Sequence, residues 1–326
     1  MVIIRIQMYI LEKILLYPIS KANRLFFPIW NQFNGCNVLM GEEVSLLINN
    51  AISDSKPIMI SRFGSEIHVL NVYIQICNKI LSKYKTYIQS GIEDKYTNHI
   101  RHVISNNNGV FPTNDETLNC FSEITLNSVK NIDVLGIWKF LPREKQLYKQ
   151  YCPHSQLIEA KYIEPYYHIS PWTKLLEGKK ILVIHPFTES IKNQFTKRKL
   201  LYEDPNMLPD FDLKTIKAVQ SLAGNPVDFK DWMEALDYMK SEIDKVDFDI
   251  ALIGAGAYGL PLASYVKTIG KKAIHLGGAI QILFGIKGQR WDNHPIISKL
   301  YNKHWTRPLP SETIKKYKHI EDGCYW

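Results

Sequence analysis

The sequence predicts an α/β protein, a Rossmann-like parallel sheet flanked by helices, and three observations carry that expectation. Its best strand candidates are continuously apolar rather than alternating, which suits strands buried on both faces. They take turns with segments of helical periodicity, as a chain of βαβ units requires. The last of these units places a glycine-rich turn, Gly254-Ala-Gly256-Ala-Tyr258-Gly259, between its strand and its helix.

The first strand is read at Pro57–Phe63, an apolar run closed by Gly64 and followed by a helical pattern through about Ile80. A second helical stretch covers Glu93–Ser105, ahead of the turn-rich Asn106-Asn107-Asn108-Gly109. Val134–Trp138 and Lys180–Phe187 read as buried strands, the latter entered through the turn Glu177-Gly178 and stopped by Pro186. Asp231–Val246 is helical, with Trp232, Leu236, Met239 and Ile243 on one stripe. Strand Phe248–Ile253, helix Gly259–Ile269 and strand Lys272–Leu276 complete the pattern.

Two parts are expected: an N-terminal helical, amphipathic extension over 1–50 and one α/β domain over 51–326. The segment from Met1 to Phe33 is rich in aliphatic and aromatic residues. Arg5, Glu12, Lys13, Lys21, Arg24, Pro18 and Pro28 interrupt it too often for a spanning helix. A helix packed on the domain or an interfacial contact with membrane fits it better. The chain carries 40 Lys and Arg against 32 Asp and Glu, an excess that favours anionic partners such as phosphorylated substrates. No RNA-recognition signature, zinc-finger spacing or long basic block is present, so nucleic acid is not expected. The five cysteines are scattered, odd in number and never paired as CxxC, which argues against a disulfide scaffold and for reduced thiols in the cytoplasm.

In a doubly covered parallel sheet, ligands lie beyond the carboxyl ends of the strands. There the sequence concentrates its polar and glycine residues. The Gly254, Gly256, Gly259 turn, with Tyr258 inside it, would bring backbone N–H groups and a helix N-terminus to a phosphate or diphosphate; a tight packing turn without ligand is the plainer reading. A dinucleotide site would also need an acid about 20 residues on to hold the ribose. That strand ends instead in His275-Leu276-Gly277-Gly278, which counts against NAD(P).

After the first strand stand Arg62, Phe63, Gly64, Ser65 and Glu66. Arg62 can fork onto phosphate oxygens, and Glu66 can ligate a metal or take a proton, unless the two serve only as a structural pair. His185, in His185-Pro186-Phe187, and Glu164, in Glu164-Pro165-Tyr166-Tyr167, are further acid–base candidates. From Gly277 to Trp291, the residues Gly277, Gly278, Gln281, Lys287, Arg290 and Trp291 extend the glycine turn. Arg290 and Lys287 suit phosphate, and Trp291 suits a base or sugar face. The aromatic run Cys324-Tyr325-Trp326 is expected to dock on the body of the protein.

Taken together, the Arg-Phe-Gly-acid element, the late strand–glycine–helix unit and the next strand ending in glycine resemble the GT-D type glycosyltransferases. The run Gly254–Asn293, the His-Pro-Phe element and the Cys-Tyr-Trp ending resemble its uncharacterised polysaccharide-biosynthesis branch. The likeness covers the chain from about Pro57 onward and lies in the order and spacing of short motifs. It implies one Rossmann-like domain, a nucleoside-diphosphate-sugar donor, a glycan or glycolipid acceptor and a divalent cation, Mn2+ or Mg2+. Family members carry a DxE motif in this loop; here Ser65 and Glu66 follow Gly64, without the Asp and one residue short. Glu66 inherits the glutamate's place as metal ligand or base, and the departure puts the metal in question.

The expected function is therefore sugar transfer to an acceptor hydroxyl in surface polysaccharide or glycoconjugate assembly, in the cytoplasm or at the inner membrane face. The alternatives are an NAD(P)-binding oxidoreductase and a non-catalytic nucleotide- or glycan-binding protein.

Overall fold

The computed structural model describes residues 36–78, 95–138 and 142–326. In chain order the strands are β1 (Val38–Leu39), β2 (Ile58–Arg62), β3 (Val134–Ile137), β4 (Gln156–Glu159), β5 (Lys180–His185), β6 (Asp212–Lys217), β7 (Ile250–Ile253) and β8 (Lys272–His275). Helix α1 (Glu42–Ser53) precedes β2, and α2 (Ile67–Asn78), α3 (Asn98–Asn108) and α4 (Asp115–Val129) lead on to β3. Then come α5 (Pro142–Tyr151), α6 (Thr188–Phe195), α7 (Trp232–Asp244), α8 (Gly259–Thr268) and the short α9 (Ile280–Leu283).

All pairings are parallel, in the order β1-β4-β3-β2-β8-β7-β5-β6. Neighbouring residues of each inner strand serve opposite layers, as a period of two demands. Met59, Leu182, Ala251 and Ala273 pack with α2, α4, α7 and α8; Ile60, Val183, Leu252 and Ile274 pack with α1, α6 and α9. Burial on both faces is why these strands read as unbroken apolar runs.

The expected elements are present, most with shorter ends, but α3 continues to Asn108 through residues expected as a turn, because Gly109 and not the asparagine run ends it. Asp231 stands outside α7 because it is the cap: its carboxylate accepts from the Glu234 N–H at 2.9 Å. Asn114 caps α4 in the same way, and Gly109, in the left-handed region, ends α3. The five strands read from the sequence become eight. Edge strand β6 alternates exposed and covered residues, β4 is four residues long and β1 only two.

Helix α1 runs across the boundary expected at 50/51. Its Val44, Ile48 and Ile52 lie in the main core, and β1 pairs with β4, so residues 36–50 belong to the sheet domain. The rest of the proposed extension lies outside the described residues. No helix among the described residues is long and apolar enough to cross a membrane.

After β2 the chain leaves for the layer of α2, whereas after the adjacent β8 it leaves for the layer of α9. Two neighbouring strands whose connections part to opposite faces open a crevice at their carboxyl ends. The candidate site lies there.

Candidate functional site

A cavity of about 300 Å3 sits over the carboxyl ends of β2, β5, β7 and β8. Arg62, the last residue of β2, forms one wall. Its Nη1 donates to Glu164 Oε1 at 2.7 Å, its Nη2 donates to the Leu276 carbonyl, and its guanidinium lies 5.0 Å from the Trp138 ring centre. The Arg62 and Glu164 side chains are only 12% and 9% exposed, and the Tyr166 hydroxyl donates to the second Glu164 oxygen. Trp138, just past β3, is held by its indole N–H on the Phe63 carbonyl at 2.8 Å while its ring stays 41% exposed. The result is a fixed cation beside an open aromatic face.

Glu66 is buried at the entry to α2. Its Oε1 accepts from the Gly64 N–H at 2.7 Å, and its Oε2 accepts from Asn108 Nδ2 at 3.4 Å. Ser65 donates its hydroxyl to Asn108 Oδ1, so the last residue of α3 ties the whole loop. Burial raises the Glu66 pKa, with backbone hydrogen bonds at Gly64 and Glu66 itself opposing the shift.

Burial lowers the pKa values of His185 and His275 to about 3, with the Arg62 charge adding to the effect on His275. His185 Nδ1 accepts from the Phe187 N–H at 3.0 Å, so its proton resides on Nε2. His185, expected as an acid–base group, is thus a neutral hydrogen-bond donor over the ordinary pH range. His275 Nδ1 lies 3.0 Å from the Ser61 hydroxyl.

These histidines make stability depend on pH. An unfolded chain takes up their protons near pH 6.5 and the native state only near 3, so stability falls as pH falls through that interval. Glu66, with a raised native pKa, acts oppositely: its contribution is present below the ordinary carboxylate value and lost as pH rises. Replacing His185 by Gln should therefore flatten the stability profile by up to about 1.4 kcal/mol per pH unit below about 6.5. Urea midpoints of both proteins across this range measure it; parallel profiles would contradict the buried neutral imidazole.

The glycines explain themselves by proximity. A Cβ on Gly254 would come within 3.0 Å of the Gly277 carbonyl oxygen, one on Gly259 as close to His275 Nε2, and one on Gly278 as close to the Tyr325 ring. Gly256 and Gly277 have positive φ, 54° and 63°, which other residues rarely adopt. Gly254, Gly256, Gly277 and Gly278 line the cavity with Arg62, Phe63, Gly64, Ser65, Glu66, His185, Gln281 and Arg290.

Five expected residues do not line it. Trp291 is buried in the core, and Tyr258 stacks on Trp232 at 5.2 Å with planes 8° apart. Gly259 is spent on the approach of His275, and Lys287 reaches over the Tyr301 ring. Glu164 lies behind Arg62, accepting from its Nη1 and from the Tyr166 hydroxyl. Arg290 does line the cavity, ion-paired with Glu321.

Sequence reasoning had no role for Trp138, Asn108, Gln220, Glu321 or Tyr325 at this site, all of which line the cavity. An aromatic residue directly after a buried strand was the available signal for Trp138; Asn108 looked like turn composition. Residues 321–326 dock as expected. The N–H groups of Gln289 and Arg290 donate to the Trp326 and Cys324 carbonyls, both at 3.0 Å, and the Phe187 and Trp326 ring centres lie 5.6 Å apart.

A divalent cation implied by the family motif finds a poor donor set. Among the described residues no group of three or more His, Cys, Asp and Glu converges as a metal site. Of the two carboxylates on the cavity wall, Glu66 has both oxygens engaged and Glu321 is paired with Arg290. Among the described residues no Asp on the cavity wall takes the missing one's place, and the residues there do not fit a metal held by the protein.

A parallel sheet with a glycine-lined cavity at its switch point, walled by Arg62 and Arg290, defines a Rossmann-like α/β protein. Residues 39–283 match the family of GT-D fold-like domains, and the chain belongs to that family. Two solved structures resemble it. One, a domain of unknown function 1792 described as having a distinct glycosyltransferase fold, is 12% identical, with 88% of this chain and 96% of that one covered and a TM-score of 0.48. A selenomethionine-substituted structure of domain of unknown function 1792 is 14% identical with the same coverage and a TM-score of 0.42. No curated protein matches.

Proposed function

We propose that this chain is a glycosyltransferase that moves a hexose from a nucleoside-diphosphate sugar to an acceptor hydroxyl. The observation that carries the reading is the pairing, in one cavity, of a fixed cation with a buried carboxylate: Arg62 on β2 and Glu66 four residues on. Membership of the GT-D fold-like family supports it.

The diphosphate lies on the turn Gly254–Gly259, where the first N–H groups of a helical turn lack intrahelical partners, and against Arg62. Arg290 adds charge once a phosphate replaces Glu321. The Trp138 face receives the base or sugar ring. As the acceptor oxygen attacks the anomeric carbon, its proton passes to Glu66. The bond from that carbon to the diphosphate oxygen breaks, and the electron pair leaves with the nucleoside diphosphate. Arg62 and the Nε2–H of His185 meet the charge that develops there.

The acceptor is placed on a surface glycan or glycolipid, handled in the cytoplasm at the inner membrane face. The formal charge of +8 supports an acidic surface as partner.

The test is a thermal-shift panel of nucleoside diphosphates and nucleotide sugars, followed by donor turnover with and without Mn2+. A ligand at a hundredfold excess over Kd stabilises by about 2.7 kcal/mol, which such a panel resolves. Glu66→Gln should keep binding and lose turnover by about 100-fold or more. Equal background release of nucleoside diphosphate by the two proteins would sink the catalytic reading.

A further inference from the structure

Glu321 and Asp322 have positive φ, 45° and 58°, and Gly323 follows at 85°. Glycine adopts such values freely, whereas a glutamate and an aspartate held there side by side store backbone strain. Strain of this kind persists only where the surroundings enforce it. Ile320 and Cys324, both buried, pin the two ends of the turn. The N–H groups of Gly323 and Cys324 both donate to the Ile320 carbonyl, at 2.9 and 3.2 Å. Just before the turn, the His319 carbonyl accepts from Asn106 Nδ2 at 2.7 Å; just after it, the Cys324 carbonyl accepts from the Arg290 N–H at 3.0 Å.

The remaining restraint is electrostatic. Glu321 is ion-paired with Arg290. Both residues line the cavity, and their side chains are 49% and 40% exposed, so a ligand there can reach them. The Arg290 guanidinium lies 5.0 Å from the Tyr325 ring centre, Tyr325 abuts Gly278, and Arg62 abuts Gly277. Two cations thus flank the Gly277-Gly278 step, one held by the buried Glu164 and the other by the half-exposed Glu321. An ion pair as open to solvent as the second is weak. A phosphate that takes Arg290 replaces one anion by another and lets the turn leave its left-handed conformation. The exchange keeps the charge pairing and relieves the strain. A neutral ligand does neither.

The geometry points to the turn Glu321–Gly323 as an anion-operated latch on the cavity. Glu321 keeps Arg290 until a phosphate-bearing ligand displaces it, and the turn then swings off the wall between its anchors at Ile320 and Cys324. The inference rests on the transferase reading for the ligand that works the latch, a nucleoside diphosphate. The latch itself needs only a phosphate-bearing anion.

The full chain is titrated with pyrophosphate and with uridine, guanosine and thymidine diphosphates, and amide hydrogen exchange is followed at Gly323 and Cys324. In wild type, saturating anion should speed exchange at these two amides about fivefold or more, because the turn that protects them opens. Glu321→Gln should exchange faster there without any ligand. It should also bind the anions about 3- to 5-fold more tightly, the range that loss of a half-exposed ion pair allows.

If the two amides keep their exchange rates with anion bound, or if Glu321→Gln binds no more tightly than wild type, the turn is a fixed part of the wall and the inference is overturned. The first of these arms needs no variant. Nucleotides that bind while the amides stay protected would defeat the latch and leave the transferase reading standing. Pyrophosphate that releases the amides while no nucleotide binds would do the reverse. Binding of neither would defeat both.

Discussion

Replacing Arg62 by alanine is expected to abolish donor binding and to destabilise the protein by about 3 kcal/mol, the cost of leaving a buried charge without its partner. Glu164 is the group stranded, since the Tyr166 hydroxyl alone would remain to meet it. The two losses are separable. Arg62→Ala combined with Glu164→Gln removes the uncompensated charge, so the urea midpoint should recover most of its fall while nucleotide binding stays lost. Arg62→Lys keeps the charge, yet an ammonium cannot span Glu164 and the Leu276 carbonyl as the planar fork does, so binding should suffer there too. If the double variant binds nucleotide like wild type, Arg62 is only a strut.

The second large effect is expected at Gly254. Its substitution by alanine drives a methyl group into the Gly277 carbonyl oxygen and to 2.8 Å from His185 Cδ2. The first neighbour is main chain and cannot swing aside, so β7 and β8 would have to separate where they flank the cavity. A loss of about 3 kcal/mol is expected, at the upper end of what overpacking costs. Gly259→Ala is the informative contrast. Its methyl meets the His275 ring, a side chain, and His275→Ala should relieve most of that collision. The same second substitution should do nothing for Gly254→Ala. Thermal or urea unfolding of the four variants decides; equal rescue of both glycines would refute the geometry.

Much of the fold was legible because burial on both faces leaves a compositional trace. β7 is apolar at every position and β5 from Ile181 to Ile184, and α7 carries its stripe and its cap in plain view. β6 was not legible. An edge strand reading Asp-Leu-Lys-Thr-Ile-Lys is held by ladder hydrogen bonds to β5 and has no apolar run to announce it. The site was read in part for a related reason. Strand order brings Arg62 and Glu66 beside Gly254 and Gly277, and motif position was enough to pick them. Trp138, Asn108 and Tyr325 reach the same cavity through tertiary packing that no local spacing encodes. Trp291 was misplaced because an indole beside an arginine looks the same in sequence whether it faces a ligand or the core. The glycine-rich turn promised contact with a ligand at every glycine, yet Gly259 answers to an imidazole of the protein itself.

The strand order also sets when the protein can become whole. β2 pairs with β8, so Ile58 waits for Lys272, and β7 joins β8 to β5. The last two strands made, β7 and β8, are the ones that join the sheet's two parts. Until they emerge from the ribosome, β1 to β4 and β5 to β6 are separate half-sheets with bare apolar edges, the state in which nascent chains most readily aggregate. Synthesis of this chain thus includes a long interval of exposure, and a pairing between segments so distant in sequence closes slowly. A translational pause after β8 has cleared the tunnel would shorten that hazard, whereas one before β7 would prolong it.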